Sequence, residues 1–453
     1  MLRLLIIIWV SIFSSFSLFA QQEDLDLTDD ERLQLLRLLV YSDDNTEEVL
    51  GIIDRSWEDG MIAPLVEIYR LTSDRVLFRQ INKILKDKTG QNHKKFFEWM
   101  EWLWEAEITN EAYYYDFKAD LYRGIDNKFI PYFKDRENQS TIQLEEVVWG
   151  GVIQDGIPPL RYPELITADE ARYLDDNHVV FGLNINGVAK AYPKRILAWH
   201  EMFVDYFGDT EIAGVYCTLC GTVIPYNTEH KGVRHELGTS GFLFRSNKLM
   251  YDKATQSLWN TIEGTPVIGP LADKDIKLEV YPVVTTTWGA WKQQHPDTKV
   301  LSLNTGHPRD YNEGVAYSDY FSTDRLMFPV PLKDSRLKNK DEVLVVRAPD
   351  YDTDPLAISI KYLKKNKWHK DRIGATNVLV IADKTGASRA YDSQDIDFVS
   401  WRKGDLKDSE GNQWTVREDH LSGPNNQILD QLPSHNMFWF AWVNTNVETR
   451  LVK

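Results

Sequence analysis

Cysteine is almost absent from this sequence, since Cys217 and Cys220 are the only two among 453 residues. No second pair accompanies them, although a complete zinc site built on cysteines usually has one. A disulfide between residues three apart would close a very small loop and would stabilise the fold little. The pair is therefore the first place to look for chemistry, but a lone Cys-x-x-Cys does not say which chemistry.

Phosphate loops and metalloprotease motifs are also missing, and acidic residues dominate over basic ones. The 68 Asp and Glu residues outnumber the 52 Lys and Arg residues and give a net charge of −16. Nucleic acid is not expected as a partner, because a surface that follows phosphates needs clustered Lys and Arg. No glycine-rich phosphate loop is present, so no nucleotide cofactor is expected. The run from Trp199 to Phe203 contains His-Glu but lacks the second histidine of a His-Glu-x-x-His motif.

The first 20 residues (1–20) have the pattern of a secretory signal peptide. Arg3 precedes an apolar run from Leu4 to Val10, and a stretch rich in small residues ends at Ala20. We expect cleavage after Ala20, although Leu18 is larger than the residue usual at its position. A retained membrane anchor is the alternative, but the apolar stretch is short for a span, and no later run approaches about 20 apolar residues. The mature chain is predicted to be exported, periplasmic or extracellular, without a transmembrane segment.

Residues 21–133 are predicted to form a helical domain. Thr28-Asp29-Asp30-Glu31 is a capping box, and the leucines that follow it lie on one helical face. The segment 45–90 resembles a HEAT-type repeat, and a generic helical cap is equally compatible with it. Such a domain would offer a surface for a protein partner. Further helices are predicted over Glu47–Trp57, Met61–Leu71 and Asp74–Lys86, and around Phe96–Trp104.

Residues 134–148 are predicted to be a polar linker, and residues 149–453 a mainly β domain with a few helices. Short runs rich in β-branched residues, such as Val179–Ile185 and Val378–Ala382, alternate there with Gly, Pro, Asn and Asp. The expected fold class is therefore α+β and multidomain, with the helical domain first.

An internal similarity indicates a duplication within the β domain. In the alignment Cys217 faces Asp383 and His200 faces Asn366, so the second copy has no thiols. One copy would carry the site and the other would be scaffold; chance similarity between two β-rich segments is the alternative. The pairs that match are Ala191 with Ala357, Leu197 with Leu363, Asp205 with Asp371, Gly208 with Gly374, Ile212 with Val378, and, after a one-residue gap, Gly221 with Gly386 and Tyr226 with Tyr391.

Residues near the cysteines in sequence supply further candidate metal ligands. An imidazole and two thiolates, with a thioether or carboxylate nearby, suit a soft metal ion; zinc takes about four such ligands, and a thioether favours Cu(I). Three protein ligands would leave a position open for catalysis, whereas four would imply storage, delivery or structure. The sequence therefore predicts a copper or zinc site formed by Cys217, Cys220, His200 and Met250, with Asp252 and Glu201 as less favoured ligands.

Two other functions stay open. Cys217 and Cys220 could cycle between dithiol and disulfide, although the run after them reads as β rather than as a helix whose N-terminus would lower a thiol pKa. Alternatively, the chain is a non-enzymatic scaffold or partner-binding module whose cysteines are structural. Whether the protein is an enzyme is not decided by the sequence.

Several of these stretches resemble a bacterial family named domain of unknown function 3179. The resemblance covers about residues 149–453, and the family name implies no activity. The stretches that carry it begin with Asp155-Gly-Ile-Pro-Pro-Leu and Tyr216-Cys-Thr-Leu-Cys-Gly-Thr, and the closing Phe438-Trp-Phe-Ala-Trp belongs to it as well. The single residues that match its motifs are His200, Glu201, Cys217, Cys220, Ser240, Gly241, Met250, Tyr251, Asp252 and Trp259.

Overall fold

The fold is that of a computed structural model, which describes residues 26–42, 45–106 and 108–453. The predicted signal peptide, residues 1–20, lies outside the described residues. No helix within the described ranges is long and apolar enough to span a bilayer. A helical region that ends at Phe133 precedes a mainly β region, so the predicted α+β class is confirmed.

The capping box predicted at Thr28 is formed, because its side chain accepts from the Glu31 N–H at 3.3 Å and the Glu31 carboxylate accepts from the Thr28 N–H at 2.9 Å. The fourth helix ends at Gly90, whose φ of +71° suits glycine. The helices are α1 (Asp29–Tyr41), α2 (Thr46–Arg55), α3 (Ile62–Leu71), α4 (Arg75–Thr89), α5 (Phe96–Glu105), α6 (Ala112–Arg123), α7 (Ile130–Phe133), α8 (Lys194–His200), α9 (Trp288–Gln294), α10 (Ser318–Ser322), α11 (Ile360–Asn366) and α12 (Trp439–Thr445).

The strands follow the α7 helix and form six sheets among the described residues. They are β1 (Val147–Trp149), β2 (Leu160–Arg161), β3 (Leu165–Thr167), β4 (Val179–Ile185), β5 (Val188–Pro193), β6 (Met202–Phe207), β7 (Thr210–Cys217), β8 (Thr222–Asn227), β9 (Glu229–His230), β10 (Val233–Arg234), β11 (Leu237–Phe244), β12 (Asn247–Asp252), β13 (Leu258–Asn260), β14 (Thr265–Ile268), β15 (Val284–Thr287), β16 (Lys299–Leu301), β17 (Glu342–Val346), β18 (Leu356–Ser359), β19 (Trp368–Ile373), β20 (Thr376–Ala382), β21 (Ser388–Asp392), β22 (Phe398–Arg402), β23 (Asp405–Asp408), β24 (Gln413–Val416), β25 (His420–Ser422), β26 (Ile428–Leu432), β27 (Ser434–Phe438) and β28 (Arg450–Val452).

The N-terminal helices α1 to α7 pack against the sheet of order β1-β11-β12-β13-β14, with which they share one hydrophobic core. Phe242 of β11 lies at the centre of this contact. Its ring is 5.0 Å from that of Tyr122, 4.9 Å from Phe129 and 5.0 Å from Phe133, each edge to face. The helical region and the β region, which residues 134–148 connect in sequence, therefore bury their apolar faces against each other.

The β region contains the same sequence of elements twice. The first repeat runs β4-β5-α8-β6-β7-β8 and then, after an insertion containing β9 to β14, continues with β15-α9-β16. The second runs β17-β18-α11-β19-β20-β21 and then, after an insertion containing β22 to β26, continues with β27-α12-β28. The neighbour order β15-β4-β5-β16 in one sheet corresponds to β27-β17-β18-β28 in another, and β5 with β16 and β18 with β28 are both parallel pairs.

Hydrogen bonds at equivalent positions agree between the two repeats. The indole N–H of Trp291 donates to the Thr298 hydroxyl at 2.9 Å, as that of Trp442 does to Thr449 at 2.8 Å. Similarly, the Tyr216 N–H donates to the Glu201 carbonyl at 2.9 Å. In the second repeat the Ala382 N–H donates to the Lys367 carbonyl at 2.8 Å. The predicted duplication is therefore confirmed, and it extends to β28.

Candidate cysteine site

The cysteines lie in the turn that joins β7 to β8 in the first repeat. Cys217 ends β7, and the Cys220 N–H donates to the Cys217 carbonyl at 3.1 Å. Gly221 closes the turn with a φ of +64°, and a Cβ atom there would lie 2.7 Å from the Phe438 ring. The Phe438 N–H in turn donates to the Cys220 carbonyl at 2.8 Å. The turn is thus fixed against β27 of the second repeat.

Both cysteines are free thiols and both are buried. The Cys220 thiol has the side-chain oxygen of Asn247 at 3.2 Å, and the Ser246 carbonyl is farther away at 3.9 Å. The Lys248 N–H and the Cys220 thiol are the polar groups beside Cys217. Since Asn247 and Lys248 begin β12, the insertion of the first repeat supplies the polar partners of both sulfurs.

Lys248 is a buried cation beside the pair, with 5% of its surface exposed. Its ammonium donates to the carbonyl oxygens of Glu201 at 2.6 Å and Tyr216 at 3.1 Å. The Glu201 carboxylate lies 3.6 Å from the same nitrogen. Glu201 is positioned by the end of α8, where its φ of +53° turns the chain out of the helix. A buried ion pair therefore adjoins the two thiols.

The surroundings shift the two thiol pKa values in opposite directions. Burial raises the pKa of Cys217, but the Cys220 thiol and the Lys248 N–H and ammonium more than offset it, so the pKa lies below its ordinary value. Burial raises the pKa of Cys220, and the hydrogen bond to Cys217 and the charge of that residue raise it further. Cys217 is therefore the sulfur that ionises first, while Cys220 keeps its proton.

A long segment, residues 302–341, covers the cysteine turn. It connects β16 to β17 and contains only one short helix, α10. The Tyr320 hydroxyl donates to the Leu219 carbonyl at 2.8 Å, and the Tyr317 hydroxyl donates to the Glu201 carboxylate at 3.4 Å. The Lys340 ammonium lies 3.3 Å from the centre of the Tyr320 ring. This covering segment closes the site with two tyrosines, of which Tyr320 contacts the turn and Tyr317 contacts the neighbouring Glu201 carboxylate.

His200, the predicted imidazole ligand, is committed to other partners. Its Nδ1 donates to the Pro158 carbonyl at 2.9 Å, so Nε2 accepts from the Tyr311 hydroxyl at 2.5 Å. The Tyr311 hydroxyl also contacts the Thr305 hydroxyl at 2.6 Å. Glu201, the next residue, faces the cysteines. Both ring nitrogens of His200, in contrast, are hydrogen-bonded to Pro158 and Tyr311.

The other predicted ligands are also separated from the sulfurs. Met250 packs in a different apolar cluster, with Met202 and Trp259. The Asp252 carboxylate is 3.2 Å from the His235 ring and accepts from the Thr255 N–H at 2.8 Å. Within the described ranges, no group of three or more His, Cys, Asp or Glu is placed to hold a metal ion. The predicted metal ligand set is therefore not assembled, because each non-cysteine candidate except Glu201 has been taken up by another network.

The remaining motif residues support the sheet that carries β11 and β12. The Ser240 hydroxyl donates to the Leu249 carbonyl at 2.7 Å, and the Tyr251 hydroxyl donates to Asp155 at 2.5 Å. Gly241 has a φ of +90°, and a Cβ there would lie 2.5 Å from the Val152 carbonyl oxygen. Trp259 is fully buried beside His235. These four residues shape the insertion that brings Lys248 to the cysteines.

Sequence reasoning missed Lys248, Tyr317 and Tyr320. The alternation of side chains along β12 places Lys248 on the same face as Met250 and Asp252, so a lysine on a buried strand face was the available signal. The tyrosines had no comparable signal, because they lie about 100 residues after the turn in a segment without regular periodicity.

We expect the stability of the protein to fall as the pH drops from about 6.5 to about 4. Burial lowers the pKa of His200 from 6.5 to about 4, so the unfolded chain binds this proton first. The stabilisation is fully present above the unfolded pKa and is lost at about 1.4 kcal/mol per pH unit towards the folded pKa. Urea unfolding at several pH values measures this slope.

The variant His200→Gln should flatten this slope without removing it, because burial also lowers the pKa of His435. A slope that is identical in the variant and the parent would contradict the assignment to His200.

The sequence profile of a family described as "Protein of unknown function (DUF3179)" matches residues 154–449. No curated protein matches the sequence, and no solved structure matches it. The matched range contains both cysteines, the whole first repeat and the second repeat up to the residue before β28, whereas α1 to α7 lie before it.

Proposed function

The chain belongs to the DUF3179 family of proteins of unknown function, and since that name assigns no activity, we propose from the site itself that Cys217 and Cys220 form a thiol-disulfide redox couple. The observation that carries the proposal is the buried pair of free thiols with the Lys248 N–H and ammonium beside Cys217. A thiolate is the reactive form of cysteine, and a nearby cation and N–H donor stabilise it.

Lys248 favours this chemistry over a metal ion. An ammonium within the cluster stabilises a thiolate anion, whereas it opposes the approach of a second cation. The pair also lacks a third ligand from His, Asp or Glu within the described residues. The opposite pKa shifts assign different roles to the two thiols. Cys217 attacks as the thiolate, and Cys220 keeps its proton until the second step.

The co-reactant is a molecule that carries a disulfide. The Cys217 thiolate attacks one of its sulfurs, a mixed disulfide forms, and the other sulfur leaves as a thiolate. Cys220 then loses its proton to that leaving thiolate and attacks the Cys217 sulfur. The Cys217–Cys220 disulfide forms, and the second sulfur of the co-reactant leaves as a thiol after it takes a proton from solvent. Two electrons pass from the protein to the co-reactant, whose disulfide becomes two thiols.

Access requires either a small co-reactant or movement of the covering segment, because both sulfurs are buried. The segment is attached to the turn by the Tyr320 hydroxyl and to the adjoining Glu201 carboxylate by the Tyr317 hydroxyl. Long irregular segments over a site are often active-site lids. Its opening would expose the turn without any change in β7 or β8.

The experiment is a redox titration of the reduced protein against glutathione buffers, with thiols counted by maleimide labelling and mass spectrometry. We expect a reversible intramolecular disulfide, recognised by the loss of two hydrogen atoms. Cys220→Ser should accumulate a mixed disulfide with glutathione at Cys217, because the resolving thiol is gone. Cys217→Ser, the matched variant, should accumulate far less, because the remaining thiol has the raised pKa. Thiols that stay reduced throughout the titration, or equal adducts in both variants, would contradict the proposal.

A second candidate is a soft ion, Cu(I), held by the two sulfurs alone. The buried hydroxyls of Tyr216, Thr218 and Ser246, all near the turn, have no hydrogen-bond partner among the described residues. Soft thiolate sulfur is the donor that Cu(I) prefers, whereas these hard hydroxyl oxygens are groups that a water, rather than the ion, would satisfy. Elemental analysis of protein purified without chelator separates the candidates, since near-stoichiometric copper that is lost in the Cys217→Ser, Cys220→Ser double variant would favour the ion. Zinc fits less well, because it takes about four ligands.

Export and a protein partner for the helical region stay predictions. So do the domain boundaries at residues 20, 133 and 148.

A further inference from the structure

The second repeat has an open cavity of about 870 Å³ at the position that corresponds to the cysteine turn. It is lined by the turn after β20, where Asp383 corresponds to Cys217, and by the end of α9. The hairpin turn between β22 and β23 forms the opposite wall. In the first repeat the equivalent place is filled by β12 and the covering segment, whereas in the second repeat it is open to solvent.

The polar contacts of the two places correspond as well. In the first repeat the Lys248 ammonium donates to the Tyr216 carbonyl; in the second, the Trp401 indole N–H donates to the equivalent carbonyl of Ala382 at 3.2 Å. Lys367 occupies the helix-ending position that Glu201 occupies in the first repeat, with a φ of +69°. The second repeat has therefore replaced the thiol and carboxylate of the first with a different set of groups around the same turn.

Four cations surround this cavity in a chain whose net charge is −16. None of the four takes part in an ion pair with any residue that the structure describes. Lys384 has only an amide contact, to Gln293 at 3.5 Å. The cations are Lys367, Lys384, Arg402 and Lys403.

The one carboxylate in the lining does not neutralise them. One oxygen of Asp383 accepts from the Thr385 N–H at 2.8 Å and from the Gly386 N–H at 3.0 Å. The other oxygen lies 3.3 Å from the Arg389 guanidinium, which is outside the lining. The Asp383 carboxylate therefore binds N–H groups of its own turn and the Arg389 guanidinium, and the cavity keeps an excess of positive charge.

Trp401 gives the cavity a flat wall. Its hydrogen bond to the Ala382 carbonyl fixes the indole, and the ring is only half-buried. Aromatic faces stack on sugar and base rings, while Lys and Arg bind carboxylate, sulfate and phosphate groups. The volume is in the range of cavities that hold small molecules. We propose that this cavity binds a small molecule that carries a ring and two or more negative groups, as acidic oligosaccharides and nucleoside diphosphates do.

Isothermal titration calorimetry on the full chain tests the proposal with four probes. Trigalacturonate and a nucleoside diphosphate have both a ring and clustered charge; maltotriose has rings without charge, and tripolyphosphate has charge without a ring. We expect at least one of the first two to bind with a Kd below about 1 mM, more tightly than its partial analogue, and to weaken as salt is raised. Whichever of the two binds identifies the source of the anion.

The variant Lys384→Glu with Arg402→Glu should weaken this binding at least tenfold. Both side chains are exposed, so the fold should not change, which thermal unfolding checks. The matched control is Arg79→Glu with Lys83→Glu on α4, which makes the same charge change on exposed positions away from the cavity and should leave binding intact.

Trp401→Phe should weaken the ring-bearing probe but not tripolyphosphate. Absence of binding by both ring-bearing anions, equal binding of maltotriose, or equal loss in the control would overturn the proposal.

Discussion

Lys248→Met is expected to raise the pKa of Cys217 and to reduce its thiolate fraction at pH 7 about tenfold for each unit of that rise. The substitution removes the ammonium beside the pair while the sulfurs and the β7–β8 turn stay in place. It also leaves the Glu201 carboxylate buried without its ion-pair partner, which should cost about 3–5 kcal/mol of stability. Ultraviolet absorbance of the thiolate as a function of pH measures the pKa without requiring a reagent to enter the site.

Glu201→Gln distinguishes charge from packing. It breaks the same ion pair, so it should also destabilise the protein, but it removes a negative charge that raises the pKa of Cys217. The pKa should therefore move down in Glu201→Gln and up in Lys248→Met. Lys253→Met, which breaks an exposed pair with Glu236, is the control and should leave the thiol pKa unchanged. A shift in the same direction in both buried variants would show that packing, rather than charge, sets the pKa.

Lys118→Met in the helical region is expected to lower the free energy of unfolding by about 3–5 kcal/mol. Lys118 is fully buried in α6 and pairs with Glu67 of α3. Its ammonium also donates to the carbonyl oxygens of Leu144 at 3.1 Å and Val147 at 2.7 Å, just before and at the start of β1. The substitution would leave a buried carboxylate supported only by tyrosine hydroxyls. Denaturant unfolding measures the loss.

Two further variants test whether the loss of stability in Lys118→Met comes from the buried ion pair. Lys88→Met breaks an exposed pair with Asp54 and should cost no more than about 1 kcal/mol. The double variant Lys118→Met, Glu67→Leu removes the stranded carboxylate as well and should recover part of the loss. If Lys118→Met cost as little as Lys88→Met, the buried network would not be what joins the helices to β1.

Local signals in the sequence predicted the parts of the fold that depend on local physics. The Thr28 capping box and the αL position of Gly90 mark helix ends because their hydrogen bonds and backbone angles are formed within a few residues. The match of Gly208 with Gly374 succeeded for a similar reason, since both have a positive φ. Gly208 lies in the turn between β6 and β7, and Gly374 in the equivalent turn between β19 and β20.

The site could be predicted only in part, because its composition depends on contacts between distant segments. Cys217 and Cys220 were found from their spacing. The place of His200 could not be predicted, because sequence proximity cannot tell that Glu201, one residue later, turns towards the sulfurs while the imidazole turns to Tyr311. The covering segment left no trace in the sequence that would link it to the cysteines.

The closing strand of each repeat has a consequence for the order in which the chain can fold. β5 pairs with β16 only after the whole insertion of the first repeat has been made, and β18 likewise waits for β28. Parallel pairing between distant residues carries a large loop-closure entropy and is slow. During synthesis, β5 and β18 therefore present unpaired edges until their partners emerge, and these edges are where a folding chaperone would act or where misassembly would begin.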